Sequence, residues 1–150
     1  MAQSLSQLYV HIIFHVKDET IQIRSENETE LYAYIGGIIK QYDSHPIKIN
    51  GTENHLHILS TMSKNISLAQ FVEQIKKNSS RWIKHQSEFY RYFAWQSGYA
   101  GYSVSQTKIE AVKKYIENQK EHHKTVSFKD EYIQFLKKYK IDFNESYLWQ

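Results

Sequence analysis

The sequence predicts an α+β fold in which helices cover an antiparallel sheet, in the order β-α-β-β-α-β followed by two further helices. The first observation is an alternating segment at residues 8–16, which is typical of a strand with two different faces. The second is the turn-like segment GTEN, residues 51–54, between two short β-rich runs, which predicts a hairpin. The third is helical spacing of apolar residues in several segments. The chain shows no internal repeat or linker, so we expect a single domain over residues 1–150.

The first strand and the first helix are each defined by an apolar stripe. Within LYVHIIFHV, residues 8–16, one face carries Leu8, Val10, Ile12, Phe14 and Val16, and the other carries Tyr9, His11, Ile13 and His15. Ser25 and Glu28 have the spacing of a capping box, which predicts the start of a helix. The stripe of that helix is formed by Leu31, Ile35, Ile38 and Tyr42. The pair Gly36-Gly37 weakens a helix by about 1 kcal/mol per glycine, which suggests that another element packs closely there.

The remaining elements follow from breaks and caps. Pro46 precedes the short strand IKIN, and HLHILST, residues 55–61, returns beside it after the turn. Ser67 caps a helix predicted over about residues 68–86, with Phe71, Ile75 and Trp82 facing inward. The segment YFAWQSGYAGYSVS predicts a loop and a short fourth strand. Two more helices are predicted over residues 106–123 and about 128–139. The result is a ferredoxin-like βαββαβ arrangement with helices on one face of the sheet and additional C-terminal helices.

Composition excludes several classes of protein. A hydrophobic fraction of 41% with a single proline indicates an ordered chain. The absence of cysteine excludes disulfides and thiolate metal sites, and it fits a reducing cytoplasm. The N-terminal MAQSLSQLYV does not resemble a signal peptide, and no run approaches the roughly 20 apolar residues of a membrane helix, so we expect a cytoplasmic protein without a membrane partner. A formal net charge of +3 and a pI near 8.9 permit a nucleic-acid partner without requiring one.

The motif HLH at residues 55–57 is the first candidate site. Side chains two residues apart on a strand project from the same face, so His55 and His57 can aim at one point while Leu56 and Ile58 enter the core. Two neutral imidazoles on a rigid strand can bind a divalent ion. Two unrelated histidines would give the same pattern, so a metal site needs a third ligand and a reacting group elsewhere in the chain.

The predicted third helix supplies candidates for both. Within KIEAVKKYIENQKEHHK, Tyr115 and Gln119 are four residues apart on the flank of the apolar stripe, with His122 nearby. An amide oxygen can act as a metal ligand, and a phenol can act as an attacking group. Two other pairs share the spacing without lying fully inside a predicted helix, namely Tyr92/Gln96 and Tyr102/Gln106. A helix-surface pair without a function is the alternative.

Together these segments resemble the HUH single-tyrosine transposases of small insertion sequences, including relatives associated with repetitive extragenic palindromes. The similarity is carried by YVHIIFHVK, HLHIL, WQSGYAGYSVS and VKKYIENQKEHH. It implies that His55, His57 and Gln119 bind Mg²⁺ or Mn²⁺ and that Tyr115 cuts and rejoins single-stranded DNA through a 5′-phosphotyrosine link. It also implies DNA with hairpin ends as the partner and a homodimer whose active sites are shared between subunits. In one departure, Asn54 stands where many relatives have an acidic residue, which leaves the support of the metal ligands open.

Other residues are assigned by their position and charge. DNA contacts are expected from His11, Lys77, Arg81, Lys84, Lys113 and Lys114, with an ordinary solvated helix face as the alternative for the lysines and arginine. For His11, the alternative is support of the metal site. His122 is a candidate base for activating Tyr115, whereas His123 falls in the apolar stripe and is interpreted as structural.

Two other functions stay open at this point. The first is a catalytically inactive or domesticated protein of the same fold that binds single-stranded or hairpin DNA. The second is a metal-dependent phosphodiester hydrolase with a water nucleophile, which is disfavoured because the sequence has no glycine-rich phosphate loop and no carboxylate cluster.

Overall fold

The structure is a computed structural model that describes residues 2–150. Its centre is a four-stranded antiparallel sheet in the order β2-β3-β1-β4. The strands are β1 (Tyr9–His15), β2 (Pro46–Gly51), β3 (His55–Thr61) and β4 (Ala100–Ser103). The helices are α1 (Ser25–Gln41), α2 (Leu68–Lys84), α3 (Ile109–Glu117), α4 (Gln119–His122) and α5 (Phe128–Lys138). The predicted α+β fold is thereby confirmed. Among residues 2–150, no helix combines the length and the apolar character needed to cross a membrane.

The two long helices α1 and α2 cover one face of the sheet. The alternation along β1 and β3 sends Ile12, Phe14, Leu56 and Ile58 to this face, where all four are fully buried. The helices contribute Leu31, Ile35, Ile38, Ile39, Phe71, Val72, Ile75 and Ile83 to the same core. Burial of one such side chain stabilises the fold by about 1.5–3 kcal/mol, so the alternation fixes which face of β3 points away from α1 and α2.

The second face of the sheet is covered by α3, α5 and the C-terminal segment. Ile13 of β1 packs in a cluster with Tyr102 of β4 and with Phe128 and Leu136 of α5, and Leu59 of β3 packs with α3. The histidines that share this face are therefore buried, with at most 8% of the residue exposed, and they are His11, His15, His55 and His57. The predicted metal clamp consequently lies in an interior layer between the sheet and the C-terminal helices.

The predicted helix over residues 106–123 is broken into two helices. After α3 ends, Asn118 has non-helical backbone angles, and α4 begins at Gln119. The side-chain amide of Asn50 on β2 donates to the carbonyls of Ile116 and Glu117, at 2.9 and 3.3 Å. A continuous helix would use these carbonyls internally, so the contact with β2 ends α3. Gln119 therefore enters the interior from a separate helix.

The two predicted caps have different outcomes. Ser67 caps α2 by accepting a hydrogen bond from the Gln70 backbone amide, as predicted. Ser25 is the first residue of α1, and the preceding N-cap residue, Arg24, makes no side-chain capping bond, so the predicted capping box is wrong.

Gly51 ends β2 at the turn before His55, where two backbone segments pass close together. A Cβ atom there would lie 2.0 Å from the His55 carbonyl oxygen, whereas a Cβ at Gly37 in α1 would meet nothing within 4 Å among the described residues. The close packing expected at the Gly36-Gly37 pair is therefore wrong for Gly37.

We expect Gly51→Ala to lower the free energy of unfolding by about 3 kcal/mol. The matched Gly37→Ala should raise it by about 0.5–1 kcal/mol. Urea denaturation measures both, and similar effects at the two sites would contradict the close approach.

Candidate metal centre and tyrosine site

Four side chains on the second face of the sheet bring metal-ligating atoms together. They are His55 and His57 of β3, His123 just after α4 and Glu131 of α5, and one ligand atom from each lies within 4.8 Å of the others. Gln119 joins this cluster because its Oε1 lies 2.9 Å from His55 Nε2. The members are buried or, in the case of His123, half-buried. The structure thus brings the three ligands implied by the resemblance to one point and adds two further side chains.

The hydrogen bonds of His55 leave its Nε2 nitrogen as an acceptor. Its Nδ1 lies 2.8 Å from Asn54 Oδ1 and 2.9 Å from Thr52 Oγ1. Because an amide oxygen only accepts, Nδ1 carries the hydrogen and Nε2 carries a lone pair. That lone pair faces another acceptor, Gln119 Oε1, and a bound cation is what makes this pairing favourable. Metal-ligating histidines are typically oriented by such an outer hydrogen bond. Asn54 thus supports His55 through its amide oxygen, although it is not acidic.

His123 has the same arrangement on the other side of the cluster. Its Nδ1 donates to the backbone carbonyl of Val126 at 2.7 Å, so Nε2 carries the lone pair. This Nε2 lies 3.1 Å from Glu131 Oε1. The sequence pattern indicated a structural role for His123, and the structure instead places its free nitrogen among the metal-ligating atoms.

Glu131 carries the negative charge of the cluster. Burial alone would raise the pKa of its carboxyl group, but the surrounding His123, His55 and His57 outweigh burial and hold that pKa well below its usual range. The carboxylate is therefore ionised. Burial lowers the pKa of His57 to about 4 and also lowers the pKa of His55, so both rings are neutral at pH 7. A buried carboxylate beside neutral imidazoles calls for a positive charge. The buried group can therefore bind a metal ion, and its nitrogen and oxygen donors suit a divalent cation.

Tyr115 of α3 reaches the cluster within its own chain. Its hydroxyl group donates a hydrogen bond to Glu131 Oε2 and lies 3.3 Å from His122 Nε2. Its ring packs edge-on against His57, with 5.8 Å between ring centroids. Burial, followed by the neighbouring Glu131 carboxylate, raises the pKa of the phenol. The candidate base His122 is adjacent as expected, but the hydrogen-bond acceptor of the phenol is Glu131.

His11 lies behind His57 and does not face solvent. Its Nε2 is 2.8 Å from His57 Nδ1, and only 2% of the residue is exposed. The rings of Phe135 and Tyr102 pack edge-on against it. The expected DNA contact of His11 is therefore not available in this structure, because the ring is buried and its polar atom is used by His57. Its geometry fits the alternative expectation, support of the metal site.

The cationic side chains assigned to DNA contacts lie on two sides of the molecule. Lys77, Arg81 and Lys84 are exposed on α2, which covers the opposite face of the sheet, so the structure does not bring them to the cluster. Lys114 is exposed beside Tyr115, and both line an open groove of about 520 Å³. Lys113 is half-buried on the same helix.

Glu131 was missed from the sequence, although a signal was present. Phe128, Tyr132 and Phe135 mark the apolar stripe of α5, and Glu131 stands on that stripe one turn after Phe128. An acidic residue among inward-facing apolar positions needs a buried partner. The sequence could not name the partner, because His57 and Glu131 are 74 positions apart.

Comparison with known proteins gives a family match and structural neighbours. Residues 4–119 match the family model described as "Transposase IS200 like". A solved structure of a Deinococcus radiodurans R1 protein, provisionally described as a transposase, has a TM-score of 0.60 and 20% identity over 79% of this chain and 98% of that chain. The structure of a REP-associated tyrosine transposase bound to a REP hairpin has a TM-score of 0.60 and 12% identity over 84% of this chain and 76% of that chain. These identities show a shared fold. A search of curated proteins finds no match.

The family match does not include the whole cluster. It contains His55, His57, Tyr115 and Gln119, and it ends before His123 and Glu131. The latter two residues therefore belong to a C-terminal part of the chain that lies outside the family match.

Proposed function

Because the chain belongs to the IS200-like transposase family, we propose that it cuts and rejoins single-stranded DNA with Tyr115 as nucleophile and Mg²⁺ or Mn²⁺ as cofactor. The observation that carries this proposal is the Tyr115 hydroxyl group, hydrogen-bonded to Glu131 beside the two histidines of the same chain. A phenol, a carboxylate and a divalent-ion site in one buried layer are the parts that such a reaction needs.

The residues that would hold the ion are His55 and His57 through Nε2, Gln119 through Oε1 and Glu131 through its carboxylate. The Gln119 amide is oriented for this role because its Nε2 donates to Glu131 Oε2 at 3.1 Å, which turns Oε1 toward His55. Oxygen donors with imidazole suit Mg²⁺ or Mn²⁺. When bound, the ion would offset negative charge on the scissile phosphate.

The chain's own residues account for the covalent step. The Tyr115 hydroxyl oxygen attacks phosphorus, the bond to the 3′ oxygen of the upstream nucleotide breaks, and a 5′-phosphotyrosine link forms. The phenolic proton passes to His122 Nε2, which lies 3.3 Å from the hydroxyl oxygen, while Glu131, whose carboxyl pKa is held well below its usual range, positions the phenol as its hydrogen-bond acceptor. The departing 3′ oxygen takes up a proton and becomes a free hydroxyl group. A 3′-hydroxyl group of another strand then attacks the link, so bond energy is conserved and no ATP is consumed.

DNA needs access to ligands that are buried. His55, His57 and Gln119 have no measurable exposure among the described residues, and α5 closes the site with Phe128 and Glu131. The groove beside Tyr115 is lined by Lys114 and by Glu117, and Lys114 can contact the DNA backbone there. We expect the scissile phosphate to enter from this groove, beside the Tyr115 hydroxyl group.

The proposed substrate is single-stranded DNA with hairpin ends. The similar fold of a REP-associated tyrosine transposase bound to a REP hairpin supports this choice. The proposed assembly is a homodimer. The resemblance implies active sites shared between subunits, whereas the contact of Tyr115 with Glu131 supports a site completed within one chain.

The test uses labelled single-stranded DNA with a hairpin, incubated with the protein and Mn²⁺ and resolved on a denaturing gel. The proposal expects a covalent protein–DNA adduct together with a fragment that ends in a 3′-hydroxyl group, and both should disappear when EDTA removes the metal. Cleavage without an adduct would point to a hydrolase with a water nucleophile. Retention of the hairpin without any cleavage would support the second candidate, a catalytically inactive DNA-binding protein. The burial of the ligands is the observation that favours that candidate.

The contact between His11 and His57 gives a prediction for metal binding. We expect His11→Leu to weaken Mn²⁺ affinity by about 10- to 100-fold. With the ion on His57 Nε2, the hydrogen of that ring lies on Nδ1, where His11 Nε2, 2.8 Å away, can accept it. Isothermal titration calorimetry measures the affinity. The matched control is His85→Leu, at an exposed histidine, which should bind Mn²⁺ like the wild type. Equal affinities in the two variants would contradict this role of His11.

A further inference from the structure

A second cavity adjoins the metal centre without containing its ligands. It has a volume of about 230 Å³, and its lining includes His15, Lys17, Asn54, Phe128, Lys129 and Trp149. Two of these residues are shared with the surroundings of His55. The Phe128 ring stacks on the His55 ring with 4.3 Å between centroids, and Asn54 Oδ1 accepts from His55 Nδ1. The cavity is therefore separated from His55 by one layer of side chains.

The His15 side chain lines this cavity and has one ring nitrogen that is not used in a hydrogen bond among the described residues. Its Nδ1 donates to the Val16 carbonyl at 2.7 Å, so Nε2 carries the lone pair of the ring. Nε2 is buried and has no hydrogen-bond partner among residues 2–150, and 8% of the residue is exposed. A buried acceptor without a partner costs about 1–3 kcal/mol. Such a group in a native protein calls for an explanation, and a ligand with a hydrogen-bond donor supplies one.

The rest of the lining suits a flat ring attached to a phosphate backbone. The Trp149 ring lies 5.9 Å from His15 and 6.3 Å from Phe128, measured between centroids, so aromatic rings border the space. Lys17 and Lys129 are exposed residues of the same lining and provide positive charge. The cavity is smaller than the roughly 300–1,000 Å³ of sites for drug-sized ligands, which fits a single ring system. Aromatic stacking with cationic contacts to phosphate is how proteins bind single-stranded nucleic acid.

We propose that this cavity binds one nucleobase of single-stranded DNA, near the phosphate at the metal centre, and that His15 Nε2 accepts a hydrogen bond from the exocyclic amine of adenine or cytosine. The inference rests on the proposed function, because the base belongs to the strand that Tyr115 attacks. Glu19, also in the lining, places one negative charge against the positive charges of Lys17 and Lys129. Thymine has no exocyclic amine. Its one donor, N3–H, is flanked by two carbonyl oxygens, so thymine is a poorer partner for the His15 acceptor than adenine or cytosine.

The test measures DNA binding in EDTA, so that no cleavage is needed. The probes are fluorescent dA, dC and dT homopolymers of equal length and an abasic strand of the same length, and the readout is fluorescence anisotropy. The wild type should bind dA and dC about 5-fold more tightly than dT, the size of effect expected for one hydrogen bond. His15→Leu should remove this preference, while His15→Gln, which retains an acceptor, should keep part of it. Trp149→Leu should weaken binding to all three homopolymers by about 5-fold or more and leave the abasic strand unaffected.

The control is His45→Leu, which changes an exposed histidine outside this cavity and should keep the wild-type preference. A wild-type preference in His15→Leu would overturn the inference, and so would equal binding of dA and the abasic strand. If thermal melting shows that His15→Leu is unfolded, unchanged homopolymer binding by Trp149→Leu overturns it instead. Base preference without covalent adducts would overturn only the catalytic proposal, whereas adducts without any base preference would overturn only this one.

Discussion

Replacing Tyr115 by phenylalanine is expected to abolish covalent protein–DNA adducts, with a loss of at least about 10⁴-fold in their rate of formation. The variant lacks the oxygen that attacks phosphorus, while its ring can still pack against His57 and Phe135. The fold and the binding of hairpin DNA should therefore be largely preserved. Denaturing gels of labelled single-stranded DNA in Mn²⁺ measure the adduct, and anisotropy measures the binding.

The chain offers a matched control for this experiment. Tyr92 and Gln96 have the same spacing as Tyr115 and Gln119, but Tyr92 is 74% exposed and lies outside the metal-ligating cluster. Tyr92→Phe should form adducts at the wild-type rate. Adducts at the wild-type rate in Tyr115→Phe would show that another group is the nucleophile. A loss of adducts in Tyr92→Phe would then identify Tyr92 as that group.

Replacing Glu131 by glutamine is expected to remove most of the divalent-ion binding. The substitution preserves the shape of the side chain and removes the charge that a cation would neutralise beside His57 and Gln119. Mn²⁺ at about 100 times its Kd should raise the free energy of unfolding of the wild type by about 2.7 kcal/mol. The variant should show little of this stabilisation. Thermal or urea unfolding with and without Mn²⁺ measures the difference.

The control is the adjacent Asp130, which is exposed on α5. Asp130→Asn removes the same formal charge from the same helix and should retain the full stabilisation by Mn²⁺. Full stabilisation of Glu131→Gln would mean that the ion binds without this carboxylate. The experiment thus decides whether Glu131 of α5 belongs to the metal site.

Residues with strong local patterns were predictable from the sequence. The alternation in β1 and β3 correctly assigned Phe14, Leu56 and Ile58 to the core and the histidines to the other face. Tyr115 and Gln119 both form hydrogen bonds with Glu131 in the structure, but they do so from two helices. A single helix was expected to hold them together, whereas the Asn50 side chain ends α3 and Gln119 enters from α4. A contact between distant segments overrode the local helical pattern.

The sequence by itself determined that His55 and His57 point to one side of a strand, because alternation is a property of the strand backbone and of its apolar neighbours. Only the tertiary structure decided what they meet there. Glu131 and His123 became neighbours of this pair because α5 packs on the second face of the sheet, which no spacing along the chain encodes. The sequence predicted that the face of β3 with His55 and His57 is open to a metal ion. Because α5 packs on it, this face is instead part of a buried layer. Whether such a layer holds an ion depends on charges and lone pairs contributed by segments far apart in the chain.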